Sequence, residues 1–581
     1  MWYTTNVYVI CAFAAIGGGL FGFDISSMSG VLGTQAYVRY FHNPQSYGQG
    51  GITCAMPAGS LIGALASSFI ADRWSRRASI QIASIFWIVG AIIQCTSINV
   101  AMLVVGRVIA GICVGIASAI CPVYQSEIAP KEIRGRVVSL QQWAITWGIL
   151  IQYFIQYGAS TIGGGADNPV RPTHFCFPNP LGVQIVPAVI LFFGMFFLPR
   201  SPRWLASKDR WEEAIKVIAD LHGGGDVNHP KVLAEYQEIE EALRFEREEA
   251  ISSYKQLVAP RMIKRVVLGM SIQMWSQLCG MNIMMYYVVY IMQGANIANP
   301  LITASIQYIL NVLLTLPAIV YLDRFGRRPA MLIGSFLMMT FLFIAGGLQA
   351  GYGEPNNTSK TQTEQNKNLT WVVHDKKGVS SAIVAMTYLF VCAFATTWGP
   401  SSWTYPAEIF PNKIRAKAVS LATSANWFWN CVLAFAVPPL LKNINWKMYM
   451  IFATFNALAF IHIFLTAPET KGKTLEEMDE VLIVILTLES QYSGLHPWQK
   501  LPKGSRLDKL AADIEAGAVK VAAPVGGVGG VPGEKRTHHN DGVVAPENAH
   551  HRDGITDVRQ VEHHGLHDEK EAVGRERGTV V

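Results

Sequence analysis

Runs of about twenty apolar residues recur along this chain, separated by short polar segments that hold most of its charge. That length matches the hydrocarbon thickness of a bilayer, which a helix crosses with every backbone group bonded inside the segment. Twelve such runs are read, at 8–32, 52–71, 79–98, 101–124, 138–158, 180–198, 265–292, 298–322, 329–350, 380–404, 418–440 and 447–467. The first is not read as a cleaved leader, because it lacks a basic start, exceeds a usual signal core and holds Asp24. The pattern predicts an all-α membrane protein.

Between the sixth and seventh runs, 199–262 is polar, and stretches such as "DRWEEAIKVIADLHG" carry apolar residues at helical spacing among many charges. The expected division is therefore a six-helix bundle (1–198), a cytoplasmic helical linker (199–262), a second six-helix bundle with an end motif (263–484) and a disordered cytoplasmic tail (485–581). The tail is rich in Gly, Pro and Val without periodicity. Its pairs His538/His539, His550/His551 and His563/His564 have no fold to fix metal geometry. They are read as part of a polar tail.

Composition changes this picture little: 51% of residues are apolar and 15% charged, sparse for a soluble domain. A net charge of +6 does not signal nucleic acid, since the positive residues lie in separate short loops. They report orientation instead: Lys and Arg crowd 72–77, 131–136, 323–328 and 412–417, which places both termini in the cytoplasm, the expected site being the plasma membrane. The sequons at Asn356, Asn357 and Asn368 then fall in an outside loop, as glycosylation requires. The nine cysteines, Cys11, Cys113, Cys279 and Cys431 among them, show no disulfide or metal spacing and are read as membrane-packing residues.

Two motifs occur twice. "DRWSRR" (72–77) returns as "DRFGRR" (323–328), and "EIAPKEIRGR" (127–136) as "EIFPNKIRAK" (408–417), five positions of the latter pair being identical. Each copy follows the equivalent run of its half, the sign of a parallel internal repeat with a site between the halves. The charges suggest a cytoplasmic gate in which Glu127 with Arg134, and Glu408 with Arg415, sit beside Arg73 and Arg324.

Inside the runs, polar residues are few. A solute with many hydroxyls and no charge needs neutral amides and an aromatic face. Candidates are Gln142, Gln152 and Gln156 in run 5, Gln273, Gln277 and Asn282 in run 7, Asn311 in run 8, and Asn426 and Asn430 in run 11. Asp24 is costly inside an apolar run, which marks it as functional and calls for a partner. "GGGLFG" (17–22) fits a dinucleotide-binding pattern only formally, because no strand precedes it; close helix approach explains it better. No nucleophile and base, metal cluster, cofactor motif or ATP-binding loop stands out, so an enzyme is not expected.

The motifs "GGGLFGFD", "DRWSRR", "GRVIAG" (106–111), "EIAPKEIRGR", "PRSPRWL" (199–205), "SQLCGMNIMMYY" (276–287), "DRFGRR", "PAEIFPNKIRAK" (406–417), "NWFWN" (426–430) and "PETKGKTLEEMDE" (468–480) cover about residues 8–480. Together they resemble the sugar porters of the major facilitator superfamily, especially fungal hexose permeases. The resemblance implies two six-helix bundles that rock about a central sugar site. It selects Gln142, Gln277, Asn282, Asn311, Trp403 and Asn426 as sugar-binding, and Gln273 and Asn430 as flanking polar positions, leaving Gln152 and Gln156 as helix-packing amides. It also implies Tyr286 and Tyr287 as the extracellular gate and Arg107 as the partner of Asp24.

Such a pair serves proton coupling in proton-coupled sugar porters, although some fungal facilitators carry the aspartate too. The expected protein is a monomeric carrier in the bilayer that moves a monosaccharide, glucose or another hexose, with protons. Uniport and a glucose sensor signalling through the tail are the alternatives. Three departures from the family pattern stand out: Ser75 for glycine, Arg200 for glutamate, and Ser276 for the first of two adjacent glutamines.

Overall fold

The computed structural model describes residues 5–31, 46–130, 132–161, 178–248, 260–286, 300–355, 371–373, 376–410 and 415–471, with a few isolated positions besides. The first set of long helices is α1 (Val7–Val31), α2 (Ser46–Trp74), α3 (Arg76–Cys95), α4 (Val100–Ile128) and α5 (Arg134–Thr161). A sixth, broken segment follows as α6 (Pro178–Val183) and α7 (Ile185–Gly194). Three short helices come next: α8 (Pro202–Ser207), α9 (Trp211–His222) and α10 (Pro230–Glu248). The second set is α11 (Pro260–Leu278), α12 (Met281–Tyr286), α13 (Pro300–Phe325), α14 (Arg327–Tyr352), α15 (Lys377–Thr396), α16 (Trp398–Ile409), α17 (Arg415–Ile444) and α18 (Lys447–Thr466). A two-residue antiparallel pair, β1 (Glu354–Pro355) with β2 (Trp371–Val372), follows α14.

Eight helices among the described residues are long and apolar enough to cross a membrane. The sixth segment, short and broken, is missing from that set, and so are the fifth, seventh and eleventh. The latter three carry Gln142, Gln273, Gln277, Asn426 and Asn430, all buried, so their polarity is turned inward rather than toward lipid. Large apolar residues such as Leu65, Phe69, Val105 and Leu313 are exposed on the outer faces, where lipid would cover them.

Two helices close to the site are interrupted. Between α11 and α12, Gly280 has φ +94 and lies against the ring of Phe452, a conformation that favours glycine. Thr397, at φ −131 and ψ −80, separates α15 from α16. Such breaks are tolerated in a membrane where they are buried in protein, and they turn short helices toward an interior site. The "GGGLFG" run has the packing role: a Cβ on Gly22 would come within 2.1 Å of the Ile145 carbonyl of α5. Helices α8 to α10 form a separate small core around Leu205, Ile215, Ile218 and Val232.

Candidate functional site

The amides of α11 and α17 form one connected cluster. Gln277 Nε2 donates to Asn426 Oδ1 at 2.6 Å, and Gln277 Oε1 accepts from Asn430 Nδ2 at 3.2 Å and from Asn282 Nδ2. One turn back on α11, Gln273 donates to the Ser402 carbonyl of α16 at 2.9 Å. The neighbouring Trp403 donates its indole N–H to Gln142 Oε1 of α5 at 3.2 Å. A single polar path thus runs from the fifth segment through the tenth and seventh to the eleventh. Asn311 lies buried on α13, and no contact described here ties its side chain to the others.

The cluster is incompletely satisfied. Gln273 Oε1, Asn311 Oδ1, Asn426 Nδ2 and Asn430 Oδ1 are buried and, among the described residues, have no hydrogen-bond partner. An unmet buried polar atom costs about 1–3 kcal/mol, so an uncharged ligand rich in hydroxyls would relieve a standing penalty. Gln156, read from sequence as a helix-packing amide, has neither amide atom partnered. Ser276 is buried beside Gln277.

Asp24 and Arg107 meet as the sequence suggests. Their side chains are fully buried, with Arg107 Nη2 2.9 Å from Asp24 Oδ2, while Arg107 Nε donates to the Ile52 carbonyl at 3.1 Å. Among the described residues, Asp24 Oδ1 and Arg107 Nη1 have no hydrogen-bond partner. The pair therefore has a free lone pair and a free N–H within the membrane-spanning region.

At the charged motifs the structure corrects the expected pairing. Glu127 binds Arg76 at 3.1 Å rather than Arg134 or Arg73, and Glu408 binds Arg327 at 2.6 Å rather than Arg415 or Arg324. Ser75 and Gly326, with φ 96 and φ 100, end the preceding helices. Arg73 and Arg324 therefore stay on those helices' last turns and are exposed, whereas Arg76 and Arg327 open the next helices facing inward. Arg134 and Arg415 are buried, and Arg415 Nε donates to the Phe410 carbonyl at 3.1 Å.

Each glutamate also holds the segment that follows its half. Ser201 donates to Glu127 Oε2 at 2.5 Å, and Thr470 to Glu408 Oε2 at 2.6 Å. Tyr124 donates to the Pro199 carbonyl at 2.7 Å, and Tyr405 to the Pro468 carbonyl at 2.8 Å. The repeat is thus deeper than the two quoted motifs. The ion pair that bridges the two sets of helices was not expected: Arg136 of α5 lies 3.4 Å from Asp323 of α13, which also binds Arg327 at 2.9 Å. Both residues stand in the quoted motifs, but spacing alone did not show that one motif reaches the other's partner.

Tyr286 is buried. Tyr287, the sequon residues Asn356, Asn357 and Asn368, and the histidine pairs of the tail lie outside the described residues. The reading of all cysteines as packing residues is corrected at one place, since Cys54 of α2 and Cys431 of α17 are joined by a disulfide. Their runs of sequence are 377 residues apart, which is why no local spacing announced the bond.

Two similar sets of membrane-length helices around an uncharged, partly unsatisfied polar cluster define the architecture of a secondary carrier. The profile of the family described as "Sugar (and other) transporter" matches residues 10–482, and the chain belongs to that family. It is 65% identical over 517 residues to an MFS glucose transporter of Aspergillus flavus, covering 89% of this chain and 95% of that one. It is 44% identical over 484 residues to a high-affinity glucose transporter of Kluyveromyces lactis, covering 82% of this chain and 85% of that one. Among solved structures, the MFS proton:xylose symporter XylE of E. coli, bound to 6-bromo-6-deoxy-D-glucose, is similar with a TM-score of 0.69 and 27% identity. That similarity covers 82% of this chain and 99% of that chain.

Proposed function

We propose that this chain carries a monosaccharide, glucose in the first place, across the plasma membrane by alternating access, with proton symport. The observation that carries the reading is the amide cluster around Gln277, whose open donor and acceptor atoms suit a neutral polyhydroxylated ring and no charged solute. Gln142, Gln277, Asn282, Asn311, Trp403 and Asn426 bind the sugar, with Gln273 and Asn430 at its margin. The indole of Trp403 offers a flat face to the ring's C–H surface.

Asp24 supplies the coupling. As a carboxylate it holds Arg107; when protonated it no longer attracts the guanidinium, and the first half is freed to close around sugar. Both termini lie in the cytoplasm, where the Arg136–Asp323 bridge forms the inner gate with the two glutamate clusters bracing it from either half, and Tyr286 and Tyr287 belong to the outer one. The relatives named as glucose transporters and the proton:xylose symporter support this assignment by similarity.

Purified protein in liposomes with an inward proton gradient is expected to accumulate labelled glucose above equilibrium. Asp24→Asn should keep sugar exchange and lose accumulation, whereas Asn426→Ala should lower uptake efficiency about five- to tenfold through lost hydrogen bonds. If Asp24→Asn still accumulates glucose, symport through this residue is wrong and the carrier is read differently. If the unaltered protein moves no hexose, the transport reading fails and a sugar sensor takes its place.

A further inference from the structure

Tyr308 of α13 is fully buried and meets residues of α1, α5 and α12. Its ring packs against that of Tyr153 on α5, centroids 4.7 Å apart and planes at 54°. Its hydroxyl donates to the Met285 carbonyl of α12 at 3.0 Å. The same oxygen lies 3.3 Å from Ser29 Oγ on α1. Tyr153, Ser29 and Met285 are themselves buried. Two of these contacts reach the first half, and the third holds the short helix that carries Asn282.

We propose that Tyr308 is a positioning residue for transport, fastening helix α12 to Ser29 and Tyr153 of the first half and so holding the outer mouth shut. The proposal rests on the carrier reading above. It adds a residue of a different helix to the expected gate at Tyr286 and Tyr287. The outer mouth cannot open without parting the first half from the second, so Tyr153 and Ser29 must leave Tyr308 in every cycle. A phenol suits this task, because its ring seals the apolar contact while its oxygen meets the two polar atoms that closure buries. The exposed end of such a contact is absent here, which separates it from a tyrosine anchoring at the membrane interface.

The test is the sidedness of transport. Tyr308→Phe keeps the ring and removes the hydroxyl, which should depopulate the states closed to the outside. The apparent KM for sugar on the outer face is expected to fall and that on the inner face to rise, each by about three- to tenfold for a lost buried hydrogen bond or two. Ser29→Ala should shift both constants in the same senses by less, and Tyr153→Leu should do so by loss of the ring contact. If the variants leave both constants alone, or move both in one direction, the proposal is overturned. Should Tyr308→Phe fail to accumulate in the membrane, the Ser29 and Tyr153 variants decide alone. An unaltered protein that transports no hexose would instead overturn the carrier reading, so the two failures are distinct.

Discussion

At the scale of single residues, two departures from the family pattern prove to be one. In the second half, Gly326 begins α14 at φ 100, and the Glu469 carboxylate accepts from the backbone N–H groups of Arg327 and Arg328 at 3.0 and 3.1 Å. In the first half the residue aligned with that glutamate is Arg200, which cannot accept; its guanidinium lies over the Trp204 ring instead. Ser75 takes over the cap, its own Oγ accepting from Ala78 N at 3.3 Å, while bearing φ 96. Left-handed backbone in a non-glycine residue costs about 1–3 kcal/mol, which the capping bond offsets in part. Ser75→Ala is therefore expected to destabilise the protein by about 1 kcal/mol, because it loses the cap and keeps the strain. Ser75→Gly should be neutral or stabilising. Thermal unfolding of the detergent-solubilised variants checks both, and a Ser75→Ala variant as stable as the parent would dismiss the capping account.

The same scale shows what sequence could and could not convey. Asp24 is legible because a charge inside an apolar run has few explanations, whereas Arg107 comes only with the family resemblance. Tyr308 and Tyr153 are not legible, because a tyrosine in a membrane helix reads as an anchor until its partners are known. Gln156 reads as a helix-packing amide, and among the described residues its amide meets no hydrogen-bond partner.

At the scale of helices, the twelve segments were readable from apolar length, and their inner breaks were not. The turn at Gly280 depends on the Phe452 ring of a distant helix, which no local pattern encodes. The linker helices show a further device. His222, the last residue of α9, sits with Nδ1 2.6 Å from Glu235 of α10 and Nε2 2.9 Å from the Ile128 carbonyl that ends α4. Burial disfavours the charged ring, but the Glu235 carboxylate, the Ile128 carbonyl and the nearby Glu132 outweigh it and raise its pKa above the ordinary histidine value. A raised pKa means that the clasp contributes fully below about pH 6.5 and is lost as pH rises through the higher folded value. His222→Leu should therefore lower the melting temperature more at pH 6 than at pH 8.5. Equal losses at the two pH values would show that the ring acts by shape alone.

At the scale of the whole molecule, contacts join the two halves at two separate places. Tyr308 ties the halves on one side, and Arg136 with Asp323 on the other. The glutamate clusters differ in kind, since Glu127–Arg76 and Glu408–Arg327 each stay within one half and bind that half to the segment after it. Repetition in the sequence revealed that two halves exist; it did not reveal which charges cross between them, because that depends on how α5 meets α13. Asp323→Asn is expected to weaken the inner closure by about 1 kcal/mol, the scale of a partly exposed ion pair. Its signature should mirror that of Tyr308→Phe, with the inner KM falling and the outer rising about fivefold. Sided transport assays on the two variants check this, and shifts of the same sense in both would contradict opposite gates.

The Cys54–Cys431 disulfide gives the contact between the halves a chemical history. It bonds α2 of one half to α17 of the other, so any step that parts those two helices at that level needs the thiols free. A preparation oxidised only in part would contain two populations, differing in whether those two helices can part. Its turnover number would measure how many molecules are reduced as much as how fast each one works.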